Sequence, residues 1–154
     1  MEAGKTRRFL KRFEDAQAGW KPHEKSMSAL QLAAHIVEAP SWCSAIVDAD
    51  RYDFAATYVP PAWKTRDELL EAHERITEEF AASLEPLGDD HLRATWKFVV
   101  GEKVLMELSR EAAIRETILN HLIHHRGQLS VYYRLLGIPV PGAYGPSADD
   151  PSPM

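Results

Sequence analysis

Two histidines, His121 and His125, stand four residues apart in the clearest helical stretch of the sequence, residues 109–136. Residues i and i+4 of an α-helix lie on the same face, so both imidazole rings point the same way. Burying two imidazoles side by side is costly unless their nitrogens have partners, and neutral imidazole is a good ligand for zinc, nickel, copper or iron. The spacing therefore favours a shared metal ion over two core histidines.

A third candidate ligand lies on another predicted helix, because two protein ligands rarely suffice to hold an ion. His35 replaces an apolar residue in a stripe with spacings of three and four, made of Leu32, His35, Ala39, Trp42 and Ile46. Pro40 predicts a kink that could adjust the aim of the His35 ring. We predict that His35, His121 and His125 share one ion with a position left open for water. Taken alone, His35 is more often a hydrogen-bonded core residue.

Two further histidines have weaker patterns. His73 lies on the apolar stripe of Leu69, Ile76 and Phe80, and without a recognisable partner it is interpreted as a core or pocket-edge residue. His124 lies beside the predicted seam of the last helix, where it either orients a ligand or contacts the next helix. That seam is the stripe of Ile114, Ile118, His121, His125, then Gln128 or Leu129, Tyr132, and Leu135 or Leu136. The sequence assigns no general base.

Four helical stretches are predicted, over residues 5–15, 28–50, 65–84 and 109–136. Ser28 with Gln31 and Thr65 with Glu68 have the form of capping boxes, and Ser109 is a plausible N-cap. Residues 51–64 are predicted to be a loop, and a short β-hairpin can form over residues 95–105. These elements predict an all-α helix bundle, with an optional hairpin between the third and fourth helices. We expect one domain over 1–154, with 139–154 as an extended tail that either wraps the body or hangs loose.

The sequence around the histidine pair closely resembles the last-helix motif of the DinB-like family. The run is NHLIHHRGQL at 120–129, and the runs LLGIPVP at 135–141 and YGPSAD at 144–149 look like that family's C-terminal tail. The runs KPHEKSM at 21–27 and LAAH at 32–35 are similar to its second-helix entry.

The resemblance implies a four-helix bundle, often a homodimer, that holds zinc or nickel. Its metal site would use one histidine of the second helix and the His-x-x-x-His pair of the last helix, which fall on His35, His121 and His125. Proteins of this kind include metal-dependent thiol transferases and isomerases. The first helix looks short here, so the first wall of the bundle is either truncated or completed by a second subunit.

Composition excludes several other classes. The formal net charge of −5 argues against nucleic acid as a partner, because a phosphate-binding surface usually shows a basic excess. Cys43 is the only cysteine, which excludes an internal disulfide and suits a reducing cytoplasm. No apolar run approaches the roughly 18 residues of a membrane span. The charged start of the chain shows no signal peptide. We therefore expect a cytoplasmic protein.

Two functions fit such a site. The leading hypothesis is a metal-dependent enzyme acting on a small molecule, either a thiol-conjugate transferase or a hydrolase. The alternative is a non-catalytic metal-binding stress-response protein. A pocket with polar groups beside the ion favours the enzyme, whereas a sealed site favours the binding protein. A DNA-binding module is suggested only by the family's damage-inducible name, and the acidic balance speaks against it.

Overall fold

The computed structural model describes residues 1–151 and is mostly helical, with a small sheet. The helices are α1 (Glu2–Leu10), α2 (Ala29–Glu38), α3 (Cys43–Val47), α4 (Phe54–Thr57), α5 (Arg66–Leu84), α6 (Asp89–Arg93), α7 (Arg110–Ile114) and α8 (His121–Leu136). The strands are β1 (Arg51–Asp53), β2 (Thr95–Val100) and β3 (Lys103–Ser109). The predicted helical character is confirmed, whereas the four-helix bundle stays a prediction. The last three residues of the predicted tail lie outside the described residues.

Helix α2 begins at the predicted capping box and ends at the predicted proline. The Ser28 amide donates to Gln31 Oε1 at 2.8 Å, and the Gln31 amide donates to Ser28 Oγ at 3.2 Å. Pro40 has no backbone N–H to continue the helix, so the chain passes through a 3₁₀ segment, Ala39–Trp42, before α3. The long predicted helix 28–50 is therefore two shorter helices joined by that segment.

The last helical stretch contains an irregular middle. The Ser109 side chain caps its start by accepting from the Ala112 amide at 3.2 Å, as predicted. Between α7 and α8 the backbone forms a π-helix, Arg115–Asn120. Gly137, at a φ of 71°, ends α8, because a left-handed residue lets the Ile138 amide return to the Tyr133 carbonyl at 2.9 Å.

The sheet has one strand more than the predicted hairpin. Strands β2 and β3 pair antiparallel around Gly101, whose φ is 60°, with an irregularity in the register between Phe98 and Val99. Strand β1 pairs parallel with β2, so the sheet order is β1-β2-β3. The prediction that residues 51–64 form only a loop was therefore wrong, since they also contain β1 and α4. Three residues are too few for sequence alternation to reveal a strand.

The chain forms two compact units, of which the first comprises Met1–Val37, Ala62–Glu74 and the described part of Ile123–Met154. Its core contains the stacked rings of Phe9 and Tyr133, whose centroids lie 6.2 Å apart. The Tyr133 hydroxyl donates to the Phe9 carbonyl at 2.9 Å. The tail of this unit wraps rather than hangs loose, because Arg8 donates to the Gly142 carbonyl and Arg134 pairs with Asp149, both at 2.7 Å.

The second unit comprises Glu38–Pro61 and Arg75–Leu122. Its buried apolar cluster is Cys43, Ile46, Val47, Trp96, Ala113, Ile114 and Ile118. The Trp96 indole donates to the Ala45 carbonyl at 2.9 Å, so the sheet is tied to α3. Arg110, which is 4% exposed, donates to the Ile46 carbonyl and pairs with Asp50 at 2.7 Å.

Candidate metal centre

The structure brings together the three histidines that the spacing singled out. His35, His121 and His125 each offer one ring nitrogen, and these three atoms lie within 4.8 Å of one another. The ring centroids of His35 and His125 lie 4.7 Å apart at an interplanar angle of 71°. All three side chains are half-buried. One ion could therefore contact all three rings and still be reached from solvent.

The helical stretch that carries the pair buries most of the predicted seam but leaves the two histidines half-buried. Its buried positions include Ile114, Ile118, Leu122, Arg126, Leu129, Tyr132 and Tyr133. Between α7 and α8 lies the π-helix Arg115–Asn120, which holds more residues per turn than an α-helix. Both histidines lie at the edge of the buried face, which leaves their rings partly open.

The His125 ring is held by its neighbours on α8. Its Nδ1 lies 2.7 Å from Gln128 Oε1, and the Gln128 amide nitrogen lies 3.0 Å from His124 Nε2. Burial lowers the pKa of His125, an effect that the Gln128 hydrogen bond opposes and the nearby His35 and His124 rings reinforce. The ring is therefore neutral at pH 7, which is the form that binds a metal.

Trp42 and Glu38 are close in sequence to the proposed ligand His35. The Trp42 ring packs against His121, with centroids 5.4 Å apart, and restricts that imidazole. Glu38 follows His35 by three residues along α2 and is 6% exposed, and its oxygens accept from the Tyr58 hydroxyl at 3.2 and 3.4 Å. Burial, and then the charge of Glu38, raise the pKa of Tyr58 to about 12, so this phenol stays protonated and donates. No sequence pattern had indicated that Glu38 would be a buried carboxylate.

Arg126, directly after His125, is buried and had no assigned role in the sequence. Its guanidinium is 1% exposed and donates to the Glu2 carboxylate, the Thr6 hydroxyl at 3.1 Å and the Tyr144 hydroxyl at 2.6 Å. Burial alone would raise the pKa of Glu2, but hydrogen bonds from Tyr144 and Arg126 outweigh it and lower that pKa to about 2. Lys5 lies over the Tyr144 ring, 3.8 Å from its centroid. This cluster ties α1 and the tail to α8.

Two other residues with potentially reactive side chains, His73 and Cys43, are buried in the core. His73 is 3% exposed, and its Nε2 lies 2.9 Å from the Ala3 carbonyl, which confirms the core interpretation. Burial lowers the pKa of His73, so this ring stays neutral. Cys43 is buried 3.4 Å from the Ser83 hydroxyl, and burial raises the pKa of its thiol. An inert thiol is expected there.

The donor set fits a borderline divalent ion. Three imidazole nitrogens suit zinc or nickel, whereas magnesium and calcium prefer carboxylate and carbonyl oxygens. Three neutral ligands also match the pattern of catalytic zinc sites, which keep a fourth position open.

Comparisons with known proteins agree with this architecture. The sequence model described as DinB family matches residues 1–153. The uncharacterized protein YrdA of Bacillus subtilis (strain 168) is 22% identical over 149 residues, which cover 97% of this chain and 85% of that protein. A DinB-like protein of Bacillus cereus ATCC 10987 has a similar crystal structure, with a TM-score of 0.74, 22% identity and coverage of 93% and 91% of the two chains. The DinB-like protein YjoA of Bacillus subtilis gives a TM-score of 0.68, 23% identity and coverage of 88% and 87%.

Within residues 1–151, no helix combines the length and the apolar character that crossing a bilayer would require.

Proposed function

Because the chain belongs to the DinB family, we propose that it is a metal-dependent enzyme that acts on a small molecule. His35, His121 and His125 would hold one divalent ion, with zinc or nickel as the expected metals. The reaction is a thiol-conjugate transfer or a hydrolysis. The observation that carries the proposal is the grouping of three half-buried imidazoles whose nitrogens lie within 4.8 Å of one another.

A divalent ion in such a site supplies Lewis acidity at neutral pH. The three imidazoles are neutral ligands, so they leave the charge of the ion uncompensated. An anionic sulfur or oxygen atom of a small substrate would then be favoured at the open position. The ion would thus stabilise the thiolate in a thiol-conjugate transfer, or the negative charge that develops on a carbonyl oxygen during ester hydrolysis.

The residues of the chain itself would bind the ion and orient the ligand rings. Burial lowers the pKa of His125 and keeps the ring neutral at pH 7, which is the protonation state that binds a metal. The Trp42 ring restricts His121 from one side. The partial exposure of all three histidines favours an enzyme over a non-catalytic stress-response protein, for which a sealed site is expected.

The remaining expectations belong to the same proposal. A single four-helix-bundle domain working in the cytoplasm is supported by the family and by the buried, reduced thiol of Cys43.

A homodimer is supported by exposed apolar residues on one face of α8, namely Ile123, Val131 and Leu135, which are 36%, 56% and 61% exposed. Light scattering of wild type and Val131→Lys tests it, with loss of the dimer in the variant as the expected result and a monomeric wild type as the contrary one.

The experiment for the enzymatic proposal compares metal-free and zinc- or nickel-loaded protein on a panel of thiol conjugates and simple esters. We expect turnover only in the loaded protein, and its loss in His35→Ala. His23→Ala removes an exposed histidine outside the site and is expected to retain activity. Turnover that survives full metal removal would contradict the proposal.

A further inference from the structure

Three side chains of α8 form a hydrogen-bonded chain that ends at one of the proposed ligands. His125 Nδ1 lies 2.7 Å from Gln128 Oε1, and Gln128 Nε2 lies 3.0 Å from His124 Nε2. The rings of His124 and His125 are 4.9 Å apart. The spacing of three and four residues places all three side chains on neighbouring turns of the same helix.

The chemistry of the amide fixes where the protons are. The Gln128 oxygen can only accept, so His125 Nδ1 must carry the hydrogen and donate it. A neutral His125 therefore has its lone pair on Nε2. The Gln128 nitrogen can only donate, so His124 Nε2 accepts, and the proton of a neutral His124 is on Nδ1. The two contacts are consistent with one orientation of the amide.

We propose that Gln128 is a positioning residue, which selects the tautomer and the ring orientation of His125 for metal binding through Nε2. The inference rests on the proposed metal site. A ligating histidine commonly donates its other ring N–H to an acceptor that orients the ring and raises its basicity. Gln128 supplies that acceptor within the same helix, and His124 holds the amide in the required orientation.

The exposure of Gln128 supports this role over a purely structural one. Its side chain is exposed, so it fills no core space, and methionine has a helix propensity close to that of glutamine. A change from glutamine to methionine should therefore leave folding unchanged while removing the acceptor. Glutamate keeps an acceptor oxygen at nearly the same place, and its charge should strengthen the bond to His125.

The test measures the affinity of the full chain for Zn²⁺ by competition with a chromogenic chelator. We expect Gln128→Met to weaken binding about 10- to 100-fold, and Gln128→Glu to bind at least as tightly as the wild type. Gln17→Met makes the same change in the 3₁₀ turn Asp15–Gln17 and should leave the affinity unchanged. Nitrogen-15 NMR of the metal-free protein gives an independent readout, since His125 should show a protonated Nδ1 in wild type and lose that preference in Gln128→Met.

The outcomes separate this inference from the proposed function. If wild type binds no Zn²⁺, the metal site itself fails, while the NMR tautomer still tests whether Gln128 orients the ring. If wild type binds Zn²⁺ and Gln128→Met binds equally well, the positioning role is refuted and the metal site stands. Equal weakening in Gln128→Met and Gln128→Glu would also refute it, because the acceptor would then be irrelevant.

Discussion

Replacing Arg126 with methionine tests whether the cluster of Arg126, Glu2, Thr6 and Tyr144 stabilises the first compact unit. The guanidinium is 1% exposed and donates to Glu2, Thr6 and Tyr144. Methionine fills much of the same volume but makes none of these hydrogen bonds. The variant therefore isolates the polar contribution of Arg126 from its packing.

The expected loss follows from what each partner retains. Breaking a fully buried ion pair costs about 3–5 kcal/mol. The Glu2 side chain is 25% exposed and keeps Lys5 and Tyr144 as partners, so its carboxylate is not stranded. The buried Nε of Arg126 also has no hydrogen-bond partner among residues 1–151, which reduces the net gain from the guanidinium. We expect a loss of about 2–4 kcal/mol in the free energy of unfolding.

Urea unfolding at pH 7 with a chelator present measures this loss without a contribution from bound metal. With an m-value of about 2 kcal/mol per molar, the midpoint should fall by roughly 1–2 M. Arg134→Met is the matched control, because Arg134 lies on the same helix, is 54% exposed and pairs with Asp149. That exposed pair should contribute little to stability, because both charges are well solvated. Equal midpoints for the two variants would refute the role assigned to Arg126.

Three further predictions concern pH, backbone and thiol. The pKa of Glu2 is depressed to about 2 in the folded protein from 4.5, so its contribution is complete above pH 4.5 and is lost as the pH falls toward 2. Solvent screening limits that contribution to about 1–2 kcal/mol, and thermal melts should show a smaller acid-induced fall for Glu2→Gln than for wild type. Gly137→Ala should cost about 1–2 kcal/mol because φ is 71°, whereas Gly4→Ala in α1, where the added Cβ meets open space, should be neutral or stabilising in the same melts. Cys43 should react with a disulfide reagent only after unfolding, since it is 2% exposed and burial raises its pKa; rapid reaction of the native protein would contradict this.

Several helix ends were predictable because their causes are local, although the first helix runs over Glu2–Leu10 rather than 5–15. Ser28, Ser109 and Gly137 act through hydrogen bonds or dihedral angles within a few residues, and the structure shows each in its predicted place. The capping box at Thr65 is also present, with the Glu68 amide donating to Thr65 Oγ1 at 3.3 Å. Local interactions of this kind can be predicted from a single sequence.

Non-local effects were not predictable in the same way. Strand β1 exists because its backbone pairs with β2, some 46 residues later, and its own three residues carry no pattern. Arg126 has a polar side chain at a buried position, and its partner Glu2 lies 124 residues away. The π-helix Arg115–Asn120 before α8 was likewise not indicated by the apolar spacing.

The candidate site was therefore predicted in its residues but not in its surroundings. His121 and His125 lie on the same face of α8, because residues i and i+4 share a face whichever side of the helix is buried. The apolar stripe did not indicate how exposed the two rings would be, and in the structure both are half-buried. The acceptor Gln128 could have been found, since it follows His125 by three residues on the same helix.

Metal content by elemental analysis tests the central claim most directly. Wild type, His121→Ala and His23→Ala would be loaded with zinc or nickel, freed of excess metal by gel filtration and analysed. The account predicts about one ion per chain in wild type and in His23→Ala, and a large loss in His121→Ala. Absence of bound metal in wild type, or an undiminished content in His121→Ala, would contradict it.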